Sequence, residues 1–204
     1  MGSDKVTTVR EPIKKTSIQK KETIIKKGFE LMCEKGYHNV TTIDIAKYAG
    51  VSTGIIYQYF KDKRDIFING VNTYIESIMF PMLEIISGKI DKETFKKLLS
   101  RMIDKYIKLH NIKKEAHEEL MAMSHLDEEI SLIFKNKELL MTNRISEVLT
   151  ESGVATKNLD EKVHIIIGII DNYCHEVVYH KHNKLDYDKM KDIIINVVYD
   201  LIYG

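Results

Sequence analysis

The stretch VTTIDIAKYAGVSTGIIYQYFKDK, from Val40 to Lys63, decides the fold because it carries two short helical patterns separated by a turn. Thr41 or Thr42 predicts the start of the first helix, since a threonine hydroxyl can accept a hydrogen bond from a free N–H of the first turn. Gly50 predicts the tight turn and Ser52 the start of the second helix. The stretch therefore predicts two short helices joined by a glycine-containing turn, which is a helix-turn-helix.

Helical spacing divides the side chains of the second helix between the core and the surface. Ile56 and Phe60 lie four residues apart, so we expect them on one buried face. Tyr57 and Tyr59 are expected to remain largely exposed, with Tyr59 near the border of the buried face. In DNA-binding proteins such a helix enters the major groove. Spacing alone leaves a second interpretation open, namely a helical ligand-binding or interaction protein in which the motif is only a packing unit.

The pattern that runs through this stretch resembles the signature of TetR/AcrR-type transcriptional regulators. In that signature, a helix that begins with threonine is followed by AGVSxGxxYxYFxxKxxLF or a close variant, and the resemblance covers about residues 18–67. It implies an all-helical homodimer whose three N-terminal helices bind DNA and whose remaining helices bind a ligand and dimerise. Members are mostly repressors that a small molecule releases from their operators. The residues that carry the resemblance are Thr41, Thr42, Ile45, Ala46, Ala49, Gly50, Val51, Ser52, Ile56, Tyr57, Tyr59, Phe60, Lys63 and Phe67.

Apolar residues recur at helical spacing almost throughout the chain, and no segment alternates as a half-buried strand would, so the sequence predicts an all-α fold. We expect a flexible basic arm over residues 1–17, a helix-turn-helix domain over 18–62 and a helical ligand-binding and dimerisation domain over 63–204. Pro81 is expected to kink or end the helix that begins near Lys63. The later helices are predicted at about 91–110, 115–124, 127–152, 159–182 and 186–203.

Charge is distributed unevenly along the chain, although the formal net charge is only +1. Residues 1–63 carry twelve Lys or Arg against seven Asp or Glu, whereas residues 64–204 carry nineteen against twenty-three. A basic N-terminal third favours a polyanion as partner. Together with the resemblance, it leads us to expect double-stranded DNA with a pseudo-palindromic operator, which a symmetric dimer reads in two half-sites.

Several other function classes find no support in the sequence. The N-terminal residues lack the apolar run of a signal peptide, and the longest nearly unbroken apolar stretch, Ile165 to Ile170, is too short to cross a bilayer. Cys33 and Cys174 lie far apart in apolar surroundings, which favours a reducing compartment over a disulfide framework. The sequence contains neither a Gly-rich phosphate loop nor a GxSxG motif. We therefore expect a cytoplasmic protein without a catalytic site, a cofactor or a membrane segment.

The exposed side of the predicted motif supplies the candidate contacts to DNA. The hydroxyl and nearby backbone N–H groups of Thr42 and the hydroxyl of Tyr57 suit phosphate oxygens, and the resemblance places Lys63 on backbone phosphate. Gln58 is the strongest candidate base reader, because its amide can pair with N6 and N7 of adenine. Since this helix carries no arginine, we expect readout that favours adenine and thymine. The candidates for contact with base edges are Ile43, Thr53, Gly54, Ile55, Gln58 and Tyr59.

Polar residues within apolar helical stretches mark a candidate effector pocket. Asp171 and His175 lie four residues apart and share a helical face, and methionine and tyrosine side chains can line an adaptable cavity. The alternative is a methionine-containing core with ordinary polar contacts between helices. The eight histidines include no HExxH motif and no cysteine cluster accompanies them, so the sequence predicts no metal site. The candidate pocket residues are Met79, Met82, Met102, Tyr106, Met121, Asn172 and His175.

The last two predicted helices carry apolar stripes that are wider than the core of one protomer requires. Paired with their symmetry mates, these helices would form a four-helix bundle, so we expect a homodimer through them. The alternative is an unusually large core within one protomer. The candidate interface residues are Ile166, Ile170, Ile194 and Val198.

Overall fold

The computed structural model describes Pro12 and residues 14–86, 88–110 and 114–204 of the chain. Within these ranges the regular structure is α-helical apart from one short 3₁₀ turn, and no strand is formed. The predicted all-α fold is therefore confirmed. Most of the predicted basic arm, residues 1–11 and 13, lies outside the described residues, and the first helix already begins at Lys15 within it.

The helices follow the predicted segments to within a few residues. Among the residues that the structure describes, none of the helices combines the length and the apolar character that a membrane crossing requires. The elements are α1 Lys15–Lys35, a 3₁₀ turn Tyr37–Asn39, α2 Thr42–Ala49, α3 Thr53–Tyr59, α4 Lys63–Ile85, α5 Phe95–Leu109, α6 Lys114–Leu126, α7 Glu128–Glu151, α8 Leu159–Tyr179 and α9 Tyr187–Tyr203.

Helix α4 continues through Pro81 to Ile85, so the helix does not end at this proline, and the alternative, a kink there, stays a prediction. A proline inside a helix removes one backbone hydrogen bond. Here Met79 and Met82, on either side of the proline, are each only 4% exposed. Because tertiary burial rather than the backbone alone stabilises most helices, the buried apolar face keeps α4 helical past this position.

The described residues group into two compact units. The first takes the residues up to Tyr74 and those from Lys114 to Ser131, and the second takes those from Ile75 to His110 and from Leu132 to Gly204. Each of the two units therefore includes a part of α4 and of α7. The grouping differs from the domain boundaries expected from the sequence, which stay a prediction.

Two glycines allow the helices of the first unit to approach each other closely. A Cβ atom built on Gly28 of α1 would lie 2.6 Å from Cγ2 of Ile66 and 3.2 Å from Cγ2 of Ile45. A Cβ atom built on Gly70 of α4 would lie 2.5 Å from Cβ of Phe29. These distances are shorter than van der Waals contact, so the present spacing of α1, α2 and α4 requires glycine at both positions.

The core of the second unit lies among α5, α8 and α9, with further side chains from α7. Ile103 of α5, Cys174 of α8 and Val198 of α9 are at most 1% exposed within the single chain. The phenol of Tyr173 donates a hydrogen bond of 2.9 Å to the carbonyl of Tyr187, which ties α8 to the start of α9. The outward faces of α8 and α9 are therefore distinct from the faces that form this core.

Both cysteines are free and buried, as their apolar surroundings in the sequence suggested. Burial raises the pKa of the Cys33 thiol to about 12, and the charge of Glu119 adds to this effect. Burial likewise raises the pKa of the Cys174 thiol. Because the reactive species is the thiolate, both side chains act as packing groups.

Candidate nucleic-acid interface

Helix α2 begins with a reciprocal cap that fixes the entry into the motif. Thr41 is the N-cap, and its Oγ1 accepts a hydrogen bond of 3.2 Å from the backbone N–H of Asp44. The carboxylate of Asp44 in turn accepts a hydrogen bond of 2.9 Å from the backbone N–H of Thr41. Hydrogen bonds from the side chain and then the backbone of Thr41 lower the pKa of Asp44. Thr42, the predicted phosphate contact, is the first helical residue and is half-exposed.

The turn between α2 and α3 depends on a glycine in the left-handed region. Gly50 has φ 70° and ψ 33°, a conformation that costs other residues conformational energy. Its N–H and that of Val51 donate to the carbonyls of Lys47 and Ala46 at 3.3 and 3.0 Å. The turn therefore satisfies the end of α2 and redirects the chain into α3.

Three side chains of α3 and its C-cap face the core. Ile56 is 0% exposed, Phe60 1% and Tyr59 7%. The prediction that Tyr59 remains largely exposed, and with it the role of Tyr59 as a base-edge contact, is wrong. Tyr59 lies three residues after Ile56, and residues three and four apart share one face of a helix, so Tyr59 turns inward together with Phe60.

The outward side of the motif carries the remaining predicted contacts. Gly54, Tyr57 and Gln58 are exposed, and Thr53 and Ile55 are half-exposed. Ile43, on the preceding helix, is 67% exposed, which is unusual for an isoleucine and leaves its side chain available for a thymine methyl group. This surface combines hydroxyl, amide and apolar groups, which are the groups that read phosphate and base edges in a major groove.

Lys63 is held inside the first unit by its ammonium group. Its Nζ donates to the backbone carbonyls of Tyr37 and Val40, each at 2.8 Å, and lies 4.5 Å from the centroid of the Tyr37 ring. The carbonyls belong to the segment that leads into α2. The predicted phosphate contact of Lys63 stays a prediction, and the structure adds a bracing role that the sequence did not suggest.

An ion pair in the first unit, which the sequence did not predict, joins α4 to the start of α7. The guanidinium of Arg64 donates to both carboxylate oxygens of Asp127, from Nε at 2.9 Å and from the terminal nitrogen at 2.8 Å. Hydrogen bonds to Asp127 and then to Glu129 raise the pKa of Arg64, and the guanidinium of Arg64 in turn lowers the pKa of Asp127. Asp127 also caps α7, because its Oδ1 accepts from the N–H groups of Glu129 and Ile130. An aspartate directly before a helix was visible in the sequence, but its arginine partner was not.

The one cavity described for the second unit does not include the predicted effector residues. Met79 and Met82 are buried, whereas Asn172 is exposed because it lies one position beyond the face that Asp171 presents to α5. Met121 belongs to the first unit and the other candidates to the second. One cavity of about 330 Å³ lies at a different place in the second unit, and it is lined by Ile90, Lys92, residues 152–156 and residues 202–204. The effector pocket therefore stays a prediction.

Tyr106 and His175, two of the predicted pocket residues, do meet in the second unit. The phenol of Tyr106 donates to Asp171, and His175 lies beside both Asp171 and His110. His110, Asp171 and His175 together form a group of side chains that could hold a metal ion. His110 was not among the candidates that the sequence indicated.

Two of the four residues predicted at a dimer interface belong to the core of the single chain. Ile166 is 8% exposed and Val198 1%, whereas Ile170 and Ile194 are half-buried against that core. The assignment of Ile166 and Val198 to a dimer interface is therefore wrong. Helix α8 is apolar on nearly all sides here, so spacing did not reveal which side chains face α5 and α9. On α8 and α9, the large apolar side chains that the structure leaves exposed are Ile165 at 55%, Ile193 at 60% and Val197 at 43%.

Comparison with known proteins identifies relatives of this arrangement. Residues 24–69 match the family described as "Bacterial regulatory proteins, tetR family". The "Fatty acid metabolism regulator protein" of Bacillus subtilis (strain 168) is 34% identical over 158 residues, which are 72% of this chain and 78% of that protein. The "HTH-type transcriptional repressor BepR" of Brucella suis biovar 1 (strain 1330) is 36% identical over 72 residues, 35% of this chain and 32% of that protein.

A solved structure extends the likeness of the fold beyond the helix-turn-helix. The crystal structure of a transcriptional regulator from Rhodococcus sp. Rha1 covers 88% of this chain and 96% of its own, with a TM-score of 0.66 and 15% sequence identity. Three observations indicate the same family. They are the fold, the capped and exposed helix-turn-helix, and the long match to the Bacillus subtilis regulator. The chain belongs to the tetR family of bacterial regulatory proteins and is a DNA-binding transcriptional regulator.

Proposed function

We propose that the chain is a repressor of genes of fatty acid metabolism, released from a pseudo-palindromic operator by a fatty-acid-derived effector. The observation that supports the DNA contact is the exposure of Tyr57 and Gln58 on α3, while Ile56, Tyr59 and Phe60 anchor the same helix in the core. The proposed class of target genes is based on the Bacillus subtilis relative, which is a fatty acid metabolism regulator. The proposed repression is based on BepR, which is a transcriptional repressor.

Operator binding tests the reading role of α3. Gln58→Ala removes an amide that pairs with adenine, so affinity for the wild-type operator is expected to fall by about 1–3 kcal/mol and preference at one base pair to relax. Fluorescence anisotropy with operator variants substituted at each position measures both effects. Gln19→Ala, which removes an exposed amide from α1, is the matched control and should leave the base preference unchanged. An unchanged base preference in Gln58→Ala would remove Gln58 from the reading surface.

The same assay tests release by an effector. Fatty acids of graded chain length are added to the complex of protein and operator, and the repressor proposal expects at least one of them to release the DNA. An effector shifts an equilibrium only by its differential affinity for two states, so a hundredfold loss of operator affinity corresponds to about 2.7 kcal/mol. Ligands that bind the protein without changing operator affinity would contradict the proposed effector and leave the DNA contact intact.

The proposed assembly is a homodimer through the outward faces of α8 and α9. Ile165, Ile193 and Val197 are exposed apolar side chains on these faces, and the half-buried Ile170 and Ile194 adjoin the core beneath them. A symmetric pair of such faces forms an isologous interface and presents two copies of α3 to the two half-sites of the operator.

A further inference from the structure

His110, Asp171 and His175 converge where the end of α5 packs against α8 in the second unit. The Nε2 atoms of His110 and His175 are 3.1 Å apart, and Nδ1 of His175 lies 3.3 Å from Oδ2 of Asp171. One candidate ligand atom from each residue lies within 4.8 Å of the other two. His110 is only 7% exposed, and the His175 side chain is 24% exposed. The group is thus a largely enclosed set of two imidazoles and one carboxylate.

The surroundings of His110 orient its ring as in a metal ligand. Nδ1 of His110 lies 2.9 Å from the backbone carbonyl of Tyr106. A carbonyl only accepts hydrogen bonds, so Nδ1 carries a proton, and in the neutral ring the lone pair of Nε2 points towards His175. This is the orientation of most metal-bound histidines, in which one nitrogen binds the ion and the other is bonded to a carbonyl or a carboxylate.

His110 and His175 face each other through their Nε2 atoms, so the lone pairs of both atoms can bind the same ion. His175 then carries its proton on Nδ1 and donates it to the carboxylate of Asp171, which also accepts from the phenol of Tyr106. Two nitrogen ligands at about 2.0–2.1 Å from a tetrahedral ion lie about 3.3 Å apart, close to the separation observed here.

We propose that Nε2 of His110 and Nε2 of His175 bind one divalent transition-metal ion of the Zn²⁺ class, with the Asp171 carboxylate accepting a hydrogen bond from Nδ1 of His175. Imidazole nitrogens suit zinc and its neighbours in the first transition row, whereas Mg²⁺ and Ca²⁺ prefer oxygen ligands. Tyr106 orients the site twice, through its carbonyl to His110 and through its phenol to Asp171. Two protein ligands leave coordination positions for water or for oxygens of a bound molecule. The site does not depend on the gene class or the effector proposed above.

A metal titration of the full-length chain tests the site. The protein is freed of metal with a chelator, and Zn²⁺ is titrated in competition with a colorimetric chelator. The wild type is expected to bind one ion per chain. His175→Gln and Asp171→Asn are expected to weaken binding by at least about tenfold, since even partners of the ligands typically account for 10–100-fold. His182→Gln, an exposed histidine beyond the end of α8, is the matched control and should bind as the wild type does.

Two outcomes would overturn the site. They are a wild type that binds no stoichiometric Zn²⁺, and His175→Gln and Asp171→Asn variants that bind as tightly as the wild type does. Circular dichroism reports whether each variant is folded. Asp171 is 40% exposed, so Asp171→Asn carries the test if His175→Gln does not fold.

Discussion

The ammonium group of Lys63 binds two carbonyls of its own chain, whereas the sequence suggested a lysine that reaches out to phosphate. The two bonds to Tyr37 and Val40 use two of the three N–H groups of the ammonium. The remaining N–H can donate to a phosphate oxygen without loss of the brace. A substitution at Lys63 therefore changes both the folding of the motif and its contact with DNA, and a binding measurement alone confuses the two effects.

Lys63→Met is expected to lower the free energy of unfolding by about 1.5–3 kcal/mol, since hydrogen bonds from charged groups contribute about this much. Urea denaturation at neutral pH measures the change. Lys61→Met removes the same charge from an exposed side chain two residues earlier and should leave the stability nearly unchanged. Equal stability of the two variants would show that the bonds of Lys63 contribute nothing to folding.

At the scale of elements, Asp127 joins two helices because it caps α7 and pairs with Arg64 of α4. Asparagine is also a good N-cap but carries no charge, so Asp127→Asn removes the ion pair and keeps the cap. We expect it to cost about 0.2–1 kcal/mol, because Arg64 is partly exposed. Asp127→Ala loses the cap as well and should cost about 0.5–2 kcal/mol more. Urea denaturation of the two variants measures the difference, and identical losses would contradict the two separate roles.

The ion pair also gives this junction a defined dependence on pH. Arg64 is the main cause that holds the pKa of Asp127 below its ordinary value of 3.8. A carboxyl with a depressed pKa contributes its full stability above the unfolded value and loses it as the pH falls through the folded value. The wild type should therefore lose more stability than Asp127→Asn between about pH 6 and about pH 3. Parallel losses in the two proteins would exclude this contribution.

At the scale of the whole molecule, the proposed dimer rests on side chains that one protomer leaves exposed. Ile193→Lys places a charge on the outward face of α9, where burial against a partner would cost several kcal/mol, and it leaves the core of the protomer intact. Light scattering should show a dimer for the wild type and a monomer for this variant, with weaker operator binding. Leu126→Lys, at an exposed leucine of α6, is the control and should remain dimeric. A monomeric wild type at micromolar concentration would exclude the dimer.

The features that the sequence predicted depend on residues within about one helical turn of each other. The cap at Thr41, the turn at Gly50 and the buried pair Ile56 and Phe60 are of this kind, and the structure confirms them. The inward side chain of Tyr59 follows from the same rule, since it lies three residues after Ile56. The burial of Tyr59 could therefore have been predicted from the sequence.

The features that were missed depend on packing between distant segments. Arg64 and Asp127 lie 63 residues apart, and His110 and His175 lie 65 residues apart. Helical spacing predicted that Asp171 and His175 share a face of α8. It did not predict that His110, at the end of α5, packs against this face. In α8, a nearly continuous apolar run hides the direction of the core, which is why Ile166 rather than Ile165 was expected at the dimer interface.

The contact between Gly28 and Ile66 limits how this chain can change during evolution or redesign. The atom that a methyl group at position 28 would meet is Cγ2 of Ile66, the β-branch that leucine lacks. Leucine at position 66 therefore removes the closest contact of an alanine at position 28, and Cγ2 of Ile45, at 3.2 Å, still has to shift by a few tenths of an ångström. Position 28 thus constrains one position on each of two other helices, and a redesigned DNA-binding unit has to treat the three together.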